Sequence, residues 1–146
     1  MVTIVVDTNV FISAVLKSAS APRQVLRFCL EEKVQPLMGN ALFREYEEVM
    51  GRESLFKNSP LKSRERNDLF DAFLSVCKWL PIYYLWRPNL PDESDNHLLE
   101  LAIAGNAACL ITGNTKDFEH GELKLGNCSI LTPAQFIIER KAIWQQ

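Results

Sequence analysis

Several carboxylates in this chain stand directly after apolar runs that read as strands, a placement that gathers negative charge at one edge of a sheet. Asp7 ends the run Val2 to Val6, with the Thr8 hydroxyl and the Asn9 amide beside it. Asp is also a common helix cap, and taken alone Asp7 reads equally well as the cap of a helix beginning near Val10. Glu45 falls on a later helix between Phe43 and Tyr46. Leu42, Tyr46 and Val49 mark its inward face, and Glu45 lies at the margin of that face; Glu48 has a similar spacing, and the phase favours Glu45. As an exposed partner of Arg44 or Arg52, Glu45 would add little stability. Asp92, Glu93 and Asp95 crowd one loop and a first helical turn. The helix dipole accounts for one acid there, but three repel one another unless a cation or partner neutralises them. After a further apolar run, Thr112, Asn114 and Asp117 offer a hydroxyl, a neutral amide oxygen and another carboxylate.

Together, Asp7, Glu45, Asp95 and Asp117 form an oxygen-only set, with Asp7, Asp95 and Asp117 as metal ligands and Thr8, Asn9, Asp92, Thr112 and Asn114 as substrate contacts or groups that orient the ligands. Mg²⁺ and Mn²⁺ prefer such ligands and keep waters that a phosphate oxygen can replace. A cation held this way would polarise a phosphate and generate hydroxide. A soft-metal site has no comparable basis. The four cysteines, Cys29, Cys77, Cys109 and Cys128, lie far apart in apolar runs without a CxxC pair, beside only two histidines, and read as buried free thiols.

Short elements must position these acids. Val2 to Val6 and Val34 to Met38 read as strands, the first β-branched and without polar alternation, as in a sheet covered on both faces. A helix is expected from Val10 to Leu16, another opening at Pro22 behind Ser20, and a third capped by Asn40. The stretch from Glu53 to Lys62 reads as a connector, and Ser63 to Lys78 as a long helix with Leu69, Phe70, Phe73, Leu74 and Cys77 inward. Trp79 to Trp86 is a third strand, bent or at an edge because of Pro81. A helix capped by Ser94 and ended by Gly105 leads to a strand from Ala107 to Thr112. After a brief strand, Ser129 to Leu131, the sequence Thr132, Pro133 and Gln135 makes a capping box for the last helix. Strands alternating with amphipathic helices predict a three-layer α/β/α domain with a mainly parallel, roughly five-stranded sheet spanning residues 1–146 as one domain. In such sheets, ligands sit beyond the carboxyl ends of the strands where strand order reverses.

Composition sets outer bounds. A chain of 146 residues, 47% hydrophobic and 23% charged, is ordinary for one soluble domain, and at this length roughly 70% of the unfolded surface can be buried. A net charge of -2 and a pI near 5.7 argue against a general basic surface for nucleic acid, leaving Lys17, Arg23, Arg44 and Arg52 as candidates for local phosphate contacts. The apolar start lacks a basic leader and a cleavage site, and no uncharged run is long enough to span a membrane, so a cytoplasmic setting is expected. There is no GxGxxG or Walker sequence, which disfavours nucleotide-binding enzymes built on such loops.

The set DTN at Asp7 to Asn9, FREYEEVM at Phe43 to Met50, PDESDNHLLELAIAGNAACLITGN from Pro91 to Asn114 and the following TKDF resembles the PIN-domain family across nearly the whole chain, and most closely its prokaryotic branch of toxins from toxin-antitoxin pairs. The resemblance implies a Rossmann-like fold and Mg²⁺- or Mn²⁺-dependent cleavage of single-stranded RNA by a water-derived nucleophile. It also implies an antitoxin partner and a homodimer, for which the aromatic cluster Trp79, Tyr83, Tyr84 and Trp86 offers an interface, although core packing explains most of those rings as well. The family's first Asp falls on Asp7, its helix Glu on Glu45 and its third acid on Asp95. Its usual fourth acid falls on Asn114, a departure, and Asp117 three residues later matches a further acid of the family. The departure keeps open a weak or inactive module that binds RNA or an antitoxin without cutting. A phosphotransfer receiver or small phosphatase shares the sheet and acidic edge, but DTN does not supply the paired acids that a receiver needs.

Overall fold

The computed structural model describes residues 1–81, 96–115 and 128–144. Its sheet has five parallel strands, β1 (Val2–Val6), β2 (Val34–Met38), β3 (Lys78–Trp79), β4 (Cys109–Ile111) and β5 (Ser129–Leu131), in the order β3-β2-β1-β4-β5. The helices are α1 (Thr8–Leu16), α2 (Ala21–Leu30), α3 (Asn40–Met50), α4 (Ser63–Val76), α5 (Asn96–Ala104) and α6 (Pro133–Trp144). They complete the three-layer α/β/α arrangement. Strand order runs one way from β1 to β3 and the other way to β4 and β5. Helix α5 packs against β1, β2 and β4 and also meets α3. The reversal lies between β1 and β4, so the residues just past Val6 and Ile111 border the crevice of such a sheet.

The core explains the apolar pattern of the sequence. Ile4, Val5, Leu110 and Ile111 are fully buried mid-sheet. Phe11 of α1, Tyr46 of α3 and Phe70 and Phe73 of α4 meet in an aromatic cluster: Phe11 stands edge-on to Tyr46 at 5.6 Å, and Tyr46 stacks on Phe70 at 5.7 Å. Such ring pairs add about 0.5–1.5 kcal/mol each beyond area burial, and they fix α1, α3 and α4 against one another. Just past the end of α5, a Cβ on Gly105 would come within 2.3 Å of Leu37 Cδ1, so any larger residue would force the leucine side chains packed there to shift. Among the described residues, no helix is long and apolar enough to cross a membrane.

Several boundaries differ from expectation. The first helix begins at Thr8 rather than Val10, because Asp7 already caps it. Gly39, not Asn40, is the N-cap of α3, and it supplies no side-chain bond. The connector from Glu53 to Lys62 contains a 3-10 turn at Glu53–Phe56, pinned by the buried Arg66, whose Nη2 donates to Glu53 Oε2 at 2.7 Å while its guanidinium lies over the Phe56 ring. The long helix stops at Val76, since Lys78 already pairs with Leu37 as an edge strand. Leu80 and Pro81 do not continue the expected strand, and its remainder through Trp86 and the Ser94 cap lie outside the described residues. The fourth strand is Cys109–Ile111, shorter at both ends than expected. All four cysteines are free, Cys29 and Cys109 buried and the other two half-buried.

Candidate active site at the sheet edge

Pairing of β1 with β4 continues one residue past each strand's end: Asp7 N donates to Ile111 O at 2.9 Å, which sets Asp7 beside Thr112. Asp7 is only 5% exposed. Its Oδ1 accepts from Thr8 N at 2.7 Å, the capping role, while Oδ2 accepts from Thr112 Oγ1 at 2.8 Å and from Asn9 Nδ2 at 3.3 Å. Capping alone does not require a carboxylate, since Ser or Asn caps as well without a buried charge. Burial pushes the Asp7 carboxyl above its ordinary range; the Thr112 hydrogen bond opposes the shift and the nearby charge of Glu45 adds to it.

Thr112 is fully buried, and its hydroxyl also accepts from Asn114 N at 3.1 Å. Asn9 Oδ1 accepts from Gly113 N at 3.0 Å. The DTN triplet and the TGN triplet therefore knit together through side chains, and the Asp7 rotamer is held from three sides.

Glu45 reaches the same place from α3. Thr8 Oγ1 lies 3.4 Å from Glu45 Oε1, and His97 Nε2 of α5 lies 2.8 Å from Oε2. Apart from this approach of His97, the buried Glu45 Oε2 has no hydrogen-bond donor among the described residues. Glu48 instead points to solvent and pairs with Arg52 one turn on. Glu45 needs Tyr46 for its placement: the Tyr46 hydroxyl donates to Val6 O at 2.7 Å, tying α3 to the strand end that carries Asp7.

The structure thus brings Asp7, Thr8, Asn9, Glu45, Thr112 and Asn114 to one edge, with His97 as an addition that sequence reasoning passed over. Its only signal was its position two residues after Asp95. Asp92, Asp95 and Asp117 lie outside the described residues. Among the described residues, no group of three His, Cys, Asp or Glu side chains is placed to hold an ion. The donor set still suits a hard cation: two carboxylates close enough to repel, one oxygen buried with no donor but His97, and no thiolate nearby. Of the basic candidates, Arg23 is engaged elsewhere, its Nε donating to Ala14 O at 2.6 Å at the end of α1, while Lys17 is exposed. Arg44 lines a hollow of about 280 Å³ together with His97, Glu100 and the first turn of α3. A second hollow, of about 390 Å³, opens on the other side of the carboxylates beside Asn9 and Asn114.

No curated protein sequence matches the chain. Among solved structures, a chain from the crystal structure of VapBC2 from Rickettsia felis bound to a DNA fragment from their promoter aligns with a TM-score of 0.58, covering 89% of this chain and 98% of that one. Sequence identity is 17%, so the likeness is one of fold. The family model for the PIN domain matches residues 3–116, a span holding Asp7, Glu45, Asp95 and Asn114, and proteins with this domain are generally nucleases that use divalent metal ions. With more than half of its length matched by that model, this chain belongs to the PIN-domain family.

Proposed function

We propose that the chain is a Mg²⁺- or Mn²⁺-dependent endoribonuclease that hydrolyses single-stranded RNA, acting as the toxin of a toxin-antitoxin pair. The observation that carries this reading is the juxtaposition of the buried Asp7 carboxylate with Glu45, whose Oε2 has no donor among the described residues apart from His97. A buried carboxylate beside a second, half-buried one is costly, and a bound cation offsets their repulsion. Asp7, Asp95 and Asp117 are the residues that would hold the cation, with Asn114 as an alternative neutral ligand in place of Asp117. The cation would supply charge neutralisation and Lewis acidity toward a phosphodiester.

The chain's own groups do the rest. Donors from Thr8 N, Thr112 and Asn9 fix Asp7 in one orientation, so no reorganisation is needed when substrate arrives. Glu45, half-buried beside Asp7, would take the proton from an attacking water. The water oxygen forms the new bond to phosphorus, the bond to the leaving nucleotide breaks, the water's proton passes to Glu45, and the leaving oxygen is protonated from solvent. Arg44, in the hollow beside Glu45, is placed to meet a neighbouring phosphate.

The same reading implies a cytoplasmic protein with an antitoxin partner, and a homodimer. Trp79, 45% exposed on edge strand β3, is the described member of the aromatic set offered for the dimer contact; a monomer mass by light scattering would remove that assignment. The neutral Asn114 favours a second reading, a binding module without turnover. Cleavage of a mixed single-stranded RNA panel in Mn²⁺, Mg²⁺ or EDTA, with wild type and Asp7→Asn, separates the two. Metal-dependent cutting lost in the variant is the expected result, and absence of cutting in every condition would overturn the nuclease.

A further inference from the structure

We propose that the second hollow, between the first turns of α1, α2 and α6, is a nucleobase pocket that seats one base of the RNA strand next to the acidic site. The proposal rests on the ribonuclease reading above for its substrate, but it stands on different residues. The hollow is about 390 Å³ and includes Asn9, Ser13, Pro22, Asn114, Pro133 and Ala134 in its walls, a size within the range of small-ligand pockets. Asn9 belongs to both places: its Nδ2 donates to Asp7 Oδ2 at 3.3 Å while the residue forms one wall of the hollow. The pocket therefore begins one side chain away from the carboxylate.

Its chemistry selects a base over a phosphate. Three helix N-termini converge there, and such ends bind anions when their amides are open. These are closed. Pro22 and Pro133 sit in the first turns of α2 and α6 without an N–H, and Arg23 N and Gln135 N already donate to Ser20 Oγ at 3.3 Å and Thr132 Oγ1 at 3.1 Å. Among the described residues, no Lys or Arg lines the hollow. What remains is an apolar wall of Val10, Pro22, Pro133 and Ala134 with an amide and hydroxyl rim. A flat heterocycle fits that combination, its faces against the prolyl rings and its edge toward the Ser13 hydroxyl; single-stranded RNA is recognised in this way, through splayed bases held by apolar faces and edge hydrogen bonds.

The test is equilibrium binding by fluorescence anisotropy in EDTA, so that nothing is cut, using a set of single-stranded RNA hexamers each lacking the base at one position. One abasic position is expected to weaken wild-type binding by about tenfold. Ala134→Trp, which fills the hollow from an exposed helix position, should weaken the intact hexamer by a similar factor and erase the difference between intact and abasic strands; Ser13→Phe serves if the first variant does not melt cooperatively. Indifference of the wild type to every abasic position, or an equal abasic penalty in wild type and filled variants, overturns the pocket and leaves the hollow to an apolar polypeptide segment. The nuclease reading fails separately: base-dependent binding without metal-dependent cutting sinks the nuclease alone, and cutting without base dependence sinks the pocket alone.

Discussion

Removing one oxygen atom, in Tyr46→Phe, tests whether the acidic edge depends on how α3 is tied to β1. The ring keeps its contacts with Phe11, Phe70 and Phe73, so the change isolates the 2.7 Å hydrogen bond from the Tyr46 hydroxyl to Val6 O, made in a fully buried setting. Losing a buried hydrogen bond and leaving its acceptor without that donor costs about 1–3 kcal/mol. For a chain of this size each kcal/mol moves the midpoint by roughly 2–4 °C, so thermal denaturation should shift down by roughly 2–12 °C. Val6 adjoins Asp7 and Tyr46 adjoins Glu45, so the lost tie also loosens the spacing of the two acids. Misplacement by about 1 Å can cost up to roughly a hundredfold in rate, and a tenfold fall in kcat with little change in KM is expected. Burial first, and the neighbouring Asp7 charge second, hold the Tyr46 hydroxyl well above its ordinary pKa. It therefore remains a donor at every workable pH, and the deficit should be flat with pH. A midpoint unchanged within about 1 °C would show that the bond carries no stability. A lowered midpoint with wild-type kcat would show that α3 does not need it to place Glu45.

Two further outcomes bear on the same edge. Without metal, the Asp7 carboxyl binds its proton more tightly folded than unfolded, through burial and then the Glu45 charge; its contribution to stability is therefore full below the unfolded carboxyl pKa and is lost as pH rises through the raised value. Melting in EDTA should show that loss for wild type and not for Asp7→Asn, whereas Mn²⁺ at a hundred times its Kd should add about 2.7 kcal/mol at neutral pH to wild type only; equal Mn²⁺ stabilisation of both proteins would remove Asp7 from the metal site. Glu45→Gln should lower kcat by about a hundredfold or more, and Glu48→Gln should leave it unchanged while shifting stability by less than about 1 kcal/mol, because its pair with Arg52 is exposed; the reverse ranking in a cleavage assay would move the catalytic acid one turn along α3.

What could be read from the sequence follows the range of the interactions involved. Strands β2 and β5 fall on the residues that composition marks, and the capping box is present as a reciprocal pair, Thr132 N to Gln135 Oε1 at 2.8 Å and Gln135 N to Thr132 Oγ1 at 3.1 Å; each of these signals is complete within a few residues. Helical phase likewise separates Glu45, turned toward Thr8, from Glu48, turned toward solvent. The start of the third strand was not legible in the same way, because the pairing of Lys78 and Trp79 with Leu37 and Met38 is set by residues far off in sequence. The contact between Asp7 and Thr112 crosses 105 positions and exists because β1 and β4 pair in one register; a slip of one residue would turn either side chain to the other face. The meeting of His97 with Glu45 depends on which face of the sheet α5 covers, and local periodicity carries no trace of that. Acids could be found one at a time from strand ends and helix phase, but the reason they do work together, a buried carboxylate facing a second, half-buried one, is a property of sheet register. Substitutions that preserve every local pattern and shift that register, through the small residues that seat α5 such as Gly105, should therefore damage the site without touching any of its ligands.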